Sequence, residues 1–423
     1  MVAVYTIDSE AQESQNIAYS LDGGYSFIPY EGNPVLSIGN KNFRDPKVFW
    51  YEDHWVMVLA YAREFVMGIF TSTDLKEWEH ASNFSHHGLL GSQYECPNLV
   101  EMPMEGSDET MWLMYTSINP GAPYGGSIGQ YHPGTFNGTH FEAVDAAARI
   151  ADWGKDNYAS QFFYNIPGTE NQISIAWASN WQYTNFVPTG PAEGWQSAMS
   201  LPRVNYLKNA TRLGWTLVSL PYGLDGFRSS QSAASNDSLG ANGTLNADLS
   251  GGSGAFMLDV NMTSLNMTDL GNTPSINFTI SSSESGESIR GGIQIGTDAT
   301  QWLDRRNIQG WDSPFFTDRF ASSFVIEDTL DFQVIIDHSI LEMFTMGGEK
   351  SATVLYYPNS LLDTVVVNTT GLNADAQVSV NVVSLEGGWP MGIVQPNATA
   401  TSQNISVPGE AKRDLLNGKL WNA

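Results

Sequence analysis

"IAYSLDGGYSFIPY" at residues 17–30, "GIFTSTDLKEWEHA" at 68–81 and "IGQYHPGTFNGTHFEAV" at 128–144 follow one plan. Each is a strand of mixed polar and apolar residues, then a polar turn, then an aromatic that enters the next strand. Ahead of the second and third copies stand "FRDPKVFWYEDHWVMVLAY" and "YECPNLVEMPMEGSDETMWLMYTSI", and after the third comes "YASQFFYNIPGTENQISIAWASN". The unit recurs at roughly 50 to 65 residues, four strands at a time, which suits the blades of a β-propeller. In a propeller the innermost strand of each sheet lines a shared channel, so polar residues at those strand starts converge from distant parts of the chain. Arg44 and Asp45 in "FRDPK" and Glu95 in "QYECPN" are then expected to face one another. The competing reading is a β-sandwich with these acids on its surface, and the repeat favours the propeller.

Beyond the repeat, short aromatic-rich strands separated by Gly, Asn, Asp and Pro continue to the end of the chain, so the fold class is all-β. The expected division is a propeller over residues 1–226, a Ser-, Gly- and Asn-rich linker over 227–254, a β-sandwich over 255–407 and a loose tail over 408–423. A chain of 423 residues has ample material for two cores.

With 45 acidic residues against 19 basic, the formal charge is −26. Such a surface repels phosphate backbones and anionic lipid, which argues against nucleic-acid and membrane partners and suits a neutral ligand such as a sugar. Aromatic residues make up 12% of the chain, enough to supply sugar-stacking platforms as well as core. The single cysteine, Cys96, excludes an intrachain disulfide and a cysteine-based metal site. His54, His80, His86 and His87 lack metal-ligand spacing, and no phosphate-binding glycine motif opens a helix, so no metal or nucleotide cofactor is implied. No apolar stretch is long enough to span a bilayer. The start, "MVAVYTIDSE", reads as a strand and not as a signal peptide. Against that, eleven Asn-x-Ser/Thr sequons, from Asn83 to Asn404, point to a secreted glycoprotein whose signal lies outside these residues.

Three carboxylate positions stand out: Asp45, Glu95, and the pair Asp152 and Asp156 in "ADWGKDNYAS". Glycoside hydrolysis needs one carboxylic acid to protonate the leaving oxygen and a second carboxylate to attack the sugar or activate water. Apolar neighbours suit the proton donor, and Glu95, between Tyr94 and Cys96 at the head of an apolar strand, has them. The structural alternatives are a satisfied carboxylate at a strand start for Glu95 and an Arg–Asp pair or Asp-Pro turn for Asp45.

"FRDPK", "YECP", "SINPGAPYGGS", "FNGTHFEA", "ADWGKDNYA" and "IAWASNWQYTNFVPT", in this order and spacing, closely resemble the fungal and yeast invertases of glycoside hydrolase family 32. "QWLDRRN", "PFFTDRF" and "DHSILEMF" extend the likeness more loosely into the second domain. The resemblance implies a five-bladed propeller joined to a C-terminal β-sandwich, and hydrolysis of terminal β-fructofuranosides with retention of configuration. It makes Glu95 the general acid/base and Asp45 the carboxylate that binds fructose hydroxyls and stabilises the transition state, with Arg44 orienting it. Asn119, Asp152, Asn180 and Trp181 fall where the family contacts sugar, and Tyr94 and Cys96, which flank the acid, are expected with Arg44 among the substrate-binding residues. Sucrose is the expected substrate, with inulin, levan or fructosyl transfer as alternatives, and a homo-oligomer through the sandwich is a possible assembly.

One feature of the family's pattern is missing. Its nucleophilic aspartate stands in an Asn-Asp-Pro-Asn-Gly type motif, which occurs nowhere in the 423 residues. The alignment begins in the second blade, so about three full blades are expected and hydrolysis by this chain is expected to be impaired, since the covalent intermediate lacks its nucleophile. A non-catalytic, sugar-binding relative is the alternative.

Overall fold

The computed structural model describes residues 1–386 except 211, 297 and 327. The tail expected over 408–423, and the last part of the expected sandwich, lie outside these residues. Among the described residues nearly all regular structure is β, and the one α-helix is Thr189–Glu193.

Four antiparallel sheets follow one another along the first half. The second joins Phe43–Tyr51, His54–Tyr61, Val66–Ser72 and Glu79–Ser85 in simple up-and-down order. The third runs from Tyr94–Pro103 through Thr110–Ile118 and Ile128–Phe136 to Phe141–Ala143. The fourth orders Tyr158–Phe162, Gln172–Ala178, Arg203–Ala210 and Gly214–Pro221. In the first, the short strands Ile28–Pro29 and Leu36–Ser37 both pair with Glu13–Tyr19, and Val2–Asp8 pairs only with Glu13–Tyr19 among the described residues.

The strand "HWVMVLAY" explains how the sheets stack. Its alternate side chains serve two different cores: Val56, Val58 and Ala60 pack toward the third sheet with Met114 and Ile118, while Met57 and Leu59 pack with Phe43 and Phe70 toward the first. A strand clamped between neighbouring blades is apolar on both faces, so it reads as a continuous run and not as an alternation. Met102, Leu113, Tyr115, Phe162 and Leu207 fill the next gap, between the third and fourth sheets.

His132, on the strand Ile128–Phe136, is buried beside Phe84 at 5.3 Å and His87 at 6.1 Å, and neither ring nitrogen has a hydrogen-bond partner. Burial, then the nearby His87 and Arg149, pushes its pKa down from 6.5 to about 4. The unfolded chain therefore takes up this proton before the folded one does, and stability is lost as pH falls through that window. We expect His132→Phe to remove about 2–3 kcal/mol of acid sensitivity between pH 7 and pH 4, read as the wild-type minus variant difference in urea unfolding.

The second half is a two-sheet sandwich. One sheet orders Arg228–Asn236, Gln377–Leu385, Ala255–Thr263, Leu330–Asp337, Ile340–Thr345 and Lys350–Leu355. The other orders Thr244–Asp248, Thr364–Thr370, Ser275–Ser281, Ser288–Gln294, Asp298–Asn307 and Arg319–Val325. Leu258, Val260, Phe278, Ile280, Val334 and Val367 lie in the core between them. Residues 227–254, expected as a linker, instead supply an edge strand to each sheet, pairing with Gln377–Leu385 and Thr364–Thr370. An edge strand needs little apolar mass beyond its ladder bonds, and only Leu239, Ala247 and Leu249 of this stretch are buried apolar residues. That is why its composition reads as loop.

"ADWGKDNYAS" forms the seam between the halves. Trp153 N donates to Ser351 O at 2.8 Å and Asp156 N to Thr353 O at 3.1 Å, so the segment runs alongside the sandwich strand Lys350–Leu355. Its two carboxylates meet arginines: Asp152 with Arg203 at 3.0 Å, and Asp156 with Arg305 at 3.0 Å. Arg203 also holds Glu342 of the sandwich at 2.6 Å.

Candidate active site

Each complete sheet begins with an irregularity at the same place. Arg44 stands opposite Ala60 and Lys47 opposite Val58, so Asp45 and Pro46 share the space of Leu59. Glu95 stands opposite Ser117 and Asn98 opposite Tyr115, so Cys96 and Pro97 share that of Thr116. Tyr158 stands opposite Trp177 and Gln161 opposite Ile175, so Ala159 and Ser160 share that of Ala176. These are β-bulges, which re-aim side chains where they occur. The residue after each strand head has positive φ: 64° at Asp45, 49° at Cys96 and 52° at Ala159. None of the three is glycine, and a non-glycine residue held there costs about 1–3 kcal/mol.

The re-aimed heads meet. Arg44 Nη2 lies 3.0 Å from Glu95 Oε1 and 3.3 Å from Gln93 Oε1, while its Nη1 donates to both oxygens of Glu13 at 3.1 and 3.2 Å. The Tyr158 hydroxyl donates to Glu95 Oε2. The heads of three sheets, Arg44, Glu95 and Tyr158, thus form one hydrogen-bonded line, anchored in the first sheet by Glu13. Asp45 Oδ2 accepts from Cys96 N at 2.9 Å, linking one bulge to the next. Behind Asp45, its own amide donates to Thr6 Oγ1 at 3.1 Å and Thr6 donates to Gln15 Oε1 at 2.8 Å. Gln15 Nε2 and Glu13 Oε2 in turn bind the carbonyl and amide of Phe43 at 2.6 and 2.8 Å.

The electrostatics follow from crowding charge in a partly closed space. Burial, partly offset by the Cys96 amide and reinforced by Glu95, raises the pKa of Asp45 above the usual carboxylate range. Burial raises Glu13 as well, against the pull of Arg44. Burial and the two carboxylates hold the Cys96 thiol well above its ordinary pKa, which keeps it from acting as a thiolate. Lys47, two residues beyond Asp45, reaches the carbonyl of Phe162, and burial pushes its pKa down to about 8. Among the described residues no group of three or more His, Cys, Asp or Glu is arranged to hold a metal ion.

An aromatic series leads outward from Glu95. Tyr158 meets Trp177 at 6.2 Å, and Trp177 meets Trp181 edge-on at 5.1 Å. Trp181, at the outer end of this series, is 46% exposed. Asn119 is half-buried, its amide 3.4 Å from the carbonyl of Gln93.

Three sequence-predicted residues are placed elsewhere. The ring of Tyr94 is buried in the core between blades, edge-on to Phe65, with its hydroxyl on the carbonyl of His87. Asp152 is buried at the seam, accepting from Arg203 and from the amide and hydroxyl of Thr353. Asn180 is fully buried, and its side chain is spent on the carbonyls of Gly125, Ser127 and Lys155 and on the amide of Gln182. It shapes the loop that presents Trp181. The apolar setting expected for Glu95 is also not found, because a cation and a phenol occupy its two oxygens. Sequence reasoning missed Glu13, Gln93 and Tyr158. For Tyr158 a signal existed: it heads "YASQF" as Arg44 heads "RDPKV" and Glu95 heads "ECPNL". Roomy concavities of about 500 and 540 Å³ lie elsewhere, one on a sandwich sheet and one beside Tyr19 and Tyr30, so the converging chemistry and not volume singles out the site.

Comparison with known proteins agrees with the geometry. Residues 1–216 match the glycosyl hydrolases family 32 N-terminal domain and residues 224–385 the family 32 C-terminal domain. The chain belongs to glycosyl hydrolase family 32. Within that family it is 38% identical over 371 residues to an extracellular exo-inulinase of Meyerozyma guilliermondii, covering 84% of this chain and 70% of the relative. It is 38% identical over 379 residues to invertase 2 of Saccharomyces cerevisiae, with the same coverage of 84% and 70%. The structure of fructofuranosidase from Schwanniomyces occidentalis complexed with fructose superposes with a TM-score of 0.83 at 33% identity, over 91% of this chain and 78% of that one. The family's architecture, a propeller followed by a β-sandwich, is the one described above.

Proposed function

We propose that this chain cleaves terminal β-D-fructofuranosides, sucrose first among them, with Glu95 giving and taking the proton and Asp45 holding fructose hydroxyls beside the developing positive charge. The observation that carries this reading is the meeting of three bulged strand heads at Glu95. Hydrolysis passes through an oxocarbenium-like transition state, which needs a proton at the leaving oxygen and negative charge near the anomeric carbon. Glu95 and Asp45 supply these from adjacent bulges. Arg44, pinned from behind by Glu13, sets the orientation of Glu95. Glu13 has both oxygens engaged by Arg44 and the Phe43 amide, so it is a positioning group and not an attacking one. Trp181 and Asn119 then lie on the leaving-sugar side. Relatives named as invertases and as an exo-inulinase support the substrate class.

Because no Asn-Asp-Pro-Asn-Gly motif is present in the 423 residues, we expect hydrolysis by this chain to be slow. The test is release of glucose and fructose from sucrose, with and without added azide. Azide attacks the anomeric carbon in place of a missing carboxylate, so faster sucrose consumption with an α-fructosyl azide product is the expected result. The same missing motif favours a second reading, a protein that binds sugar without turning it over. Saturable sucrose binding with no product under either condition supports that reading and rejects ours.

Tyr158→Phe removes one donor to Glu95 and leaves the ring in place. A hydrogen bond to a charged group contributes about 1.5–3 kcal/mol, so kcat/KM is expected to fall about tenfold or more with little change in sugar affinity, checked by steady-state kinetics beside sucrose titration.

Secretion is part of the same proposal. Nine of the eleven sequon asparagines are described, and six are exposed, three half-buried and none buried. No helix among the described residues is long and apolar enough to cross a membrane.

A further inference from the structure

On the outward face of the second sandwich sheet, one lateral row crosses six strands. Thr244, Asn368, Asn277, Gly292, Trp302 and Ala321 stand opposite one another in turn. Their sequence neighbours Ile276, Phe278, Ile293, Leu303 and Val367 are buried in the core, which fixes the row as outward-facing. Asn277 opens the sequon Asn277-Phe278-Thr279 and is half-buried. Gly292, between Asn277 and Trp302, has a φ of 155°, and a Cβ there would lie 2.5 Å from Asn277 Oδ1 and 2.7 Å from Asn277 Cα. No side chain can therefore stand between the asparagine and the indole. Adjacent strands lie about 4.8 Å apart, so the two residues are about 10 Å apart along the row. Trp302 is half-buried on a mostly polar face, with Ala321 opposite it on one side and Gly292 on the other, and among the described residues its ring has no aromatic or hydrogen-bond partner. Core packing does not use that ring face, and nothing in the proposed catalytic site does.

We propose that Asn277 carries an N-linked glycan whose first N-acetylhexosamine lies across Gly292 and rests its apolar face on the indole of Trp302. Aromatic rings are suited to such a contact because one face of a pyranose is lined with C–H groups. The transfer takes an oligosaccharide from a polyprenyl-diphosphate donor: the C1–Nδ2 bond forms, the C1–O bond to the diphosphate breaks, and one amide proton leaves with the diphosphate. The glycan covers the bare strip of backbone that Gly292 leaves, and the row becomes a closed surface. The inference rests on the secretion stated above, and on nothing in the catalytic reading.

The test uses the full chain secreted from yeast and the same chain made in bacteria. Glycopeptide mass spectrometry is expected to find Asn277 occupied in the yeast product. Asn277→Gln and Trp302→Ala, singly and together, are then compared by thermal unfolding. In the yeast protein the two losses are expected to overlap, the double variant falling short of the sum by about 2–4 °C, whereas in the bacterial protein they add. Asn368→Gln, on the side away from Trp302, is expected to add independently in both. The proposal is overturned by an unoccupied Asn277, and separately by equal coupling in the two preparations, which would mark a protein-only contact. Asn277 empty while other sequons are filled rejects this site alone. All sequons empty rejects the secretion reading together with it.

Discussion

Glu95→Gln is expected to lower the rate of sucrose cleavage by about a hundred- to ten-thousand-fold, the range that a positioned acid/base group contributes. The amide keeps the size and much of the hydrogen bonding of the carboxyl but can neither give nor take a proton. The loss should track the leaving group. With a fructoside whose leaving oxygen departs without protonation, cleavage is expected to recover most of its rate, while sucrose, whose leaving glucose needs the proton, stays slow. Binding should survive, since Asp45, Asn119 and Trp181, the sugar contacts proposed above, are untouched, and calorimetric titration with sucrose checks this. A variant that cleaves sucrose as fast as the wild type would remove Glu95 from the mechanism, however well placed it is.

The second large effect is at the seam. Arg305 and Asp156 are each 0% exposed and 3.0 Å apart, and the guanidinium lies over the ring of Phe316. Arg305→Ala leaves the Asp156 carboxylate buried with only the Leu355 amide and the Tyr183 hydroxyl for company. Breaking a buried pair from one side costs about 3–5 kcal/mol, and urea unfolding should show it as an earlier transition. Neutralising both partners, as Asp156→Asn with Arg305→Met, is expected to cost clearly less than the sum of the two single changes, because no charge is then left uncompensated. Full additivity would mean that the pair does not act as a unit.

How much of this could be read beforehand depends on what each residue answers to. Asp45, Arg44 and Glu95 were legible because strand periodicity and the repeat plan place strand heads without knowledge of side-chain partners. Tyr94 was misplaced because successive residues of a strand point to opposite faces, so Tyr94 turns into the core while Glu95 turns toward Arg44. Asp152 and Asn180 answer to partners remote in sequence, Thr353 for one and the carbonyls of Gly125 and Lys155 for the other. A polar residue in a loop looks the same whether it binds a sugar or a backbone. Residues 227–254 were misread because edge strands can be built from Ser, Asn and Gly when a neighbour supplies the ladder. Glu13 was invisible for a different reason: its partner Arg44 belongs to another sheet, and only the stacking of sheets brings them together.

The bulge that follows each strand head is one backbone device used three times, and it holds an acid in one sheet, a thiol in the next and a methyl group in the third. A socket that accepts such different occupants separates the shape of the hub from its chemistry. New reactivity could therefore be grafted at the Ala159 socket without redrawing the blades, each spoke being free to change while the others keep the wheel true.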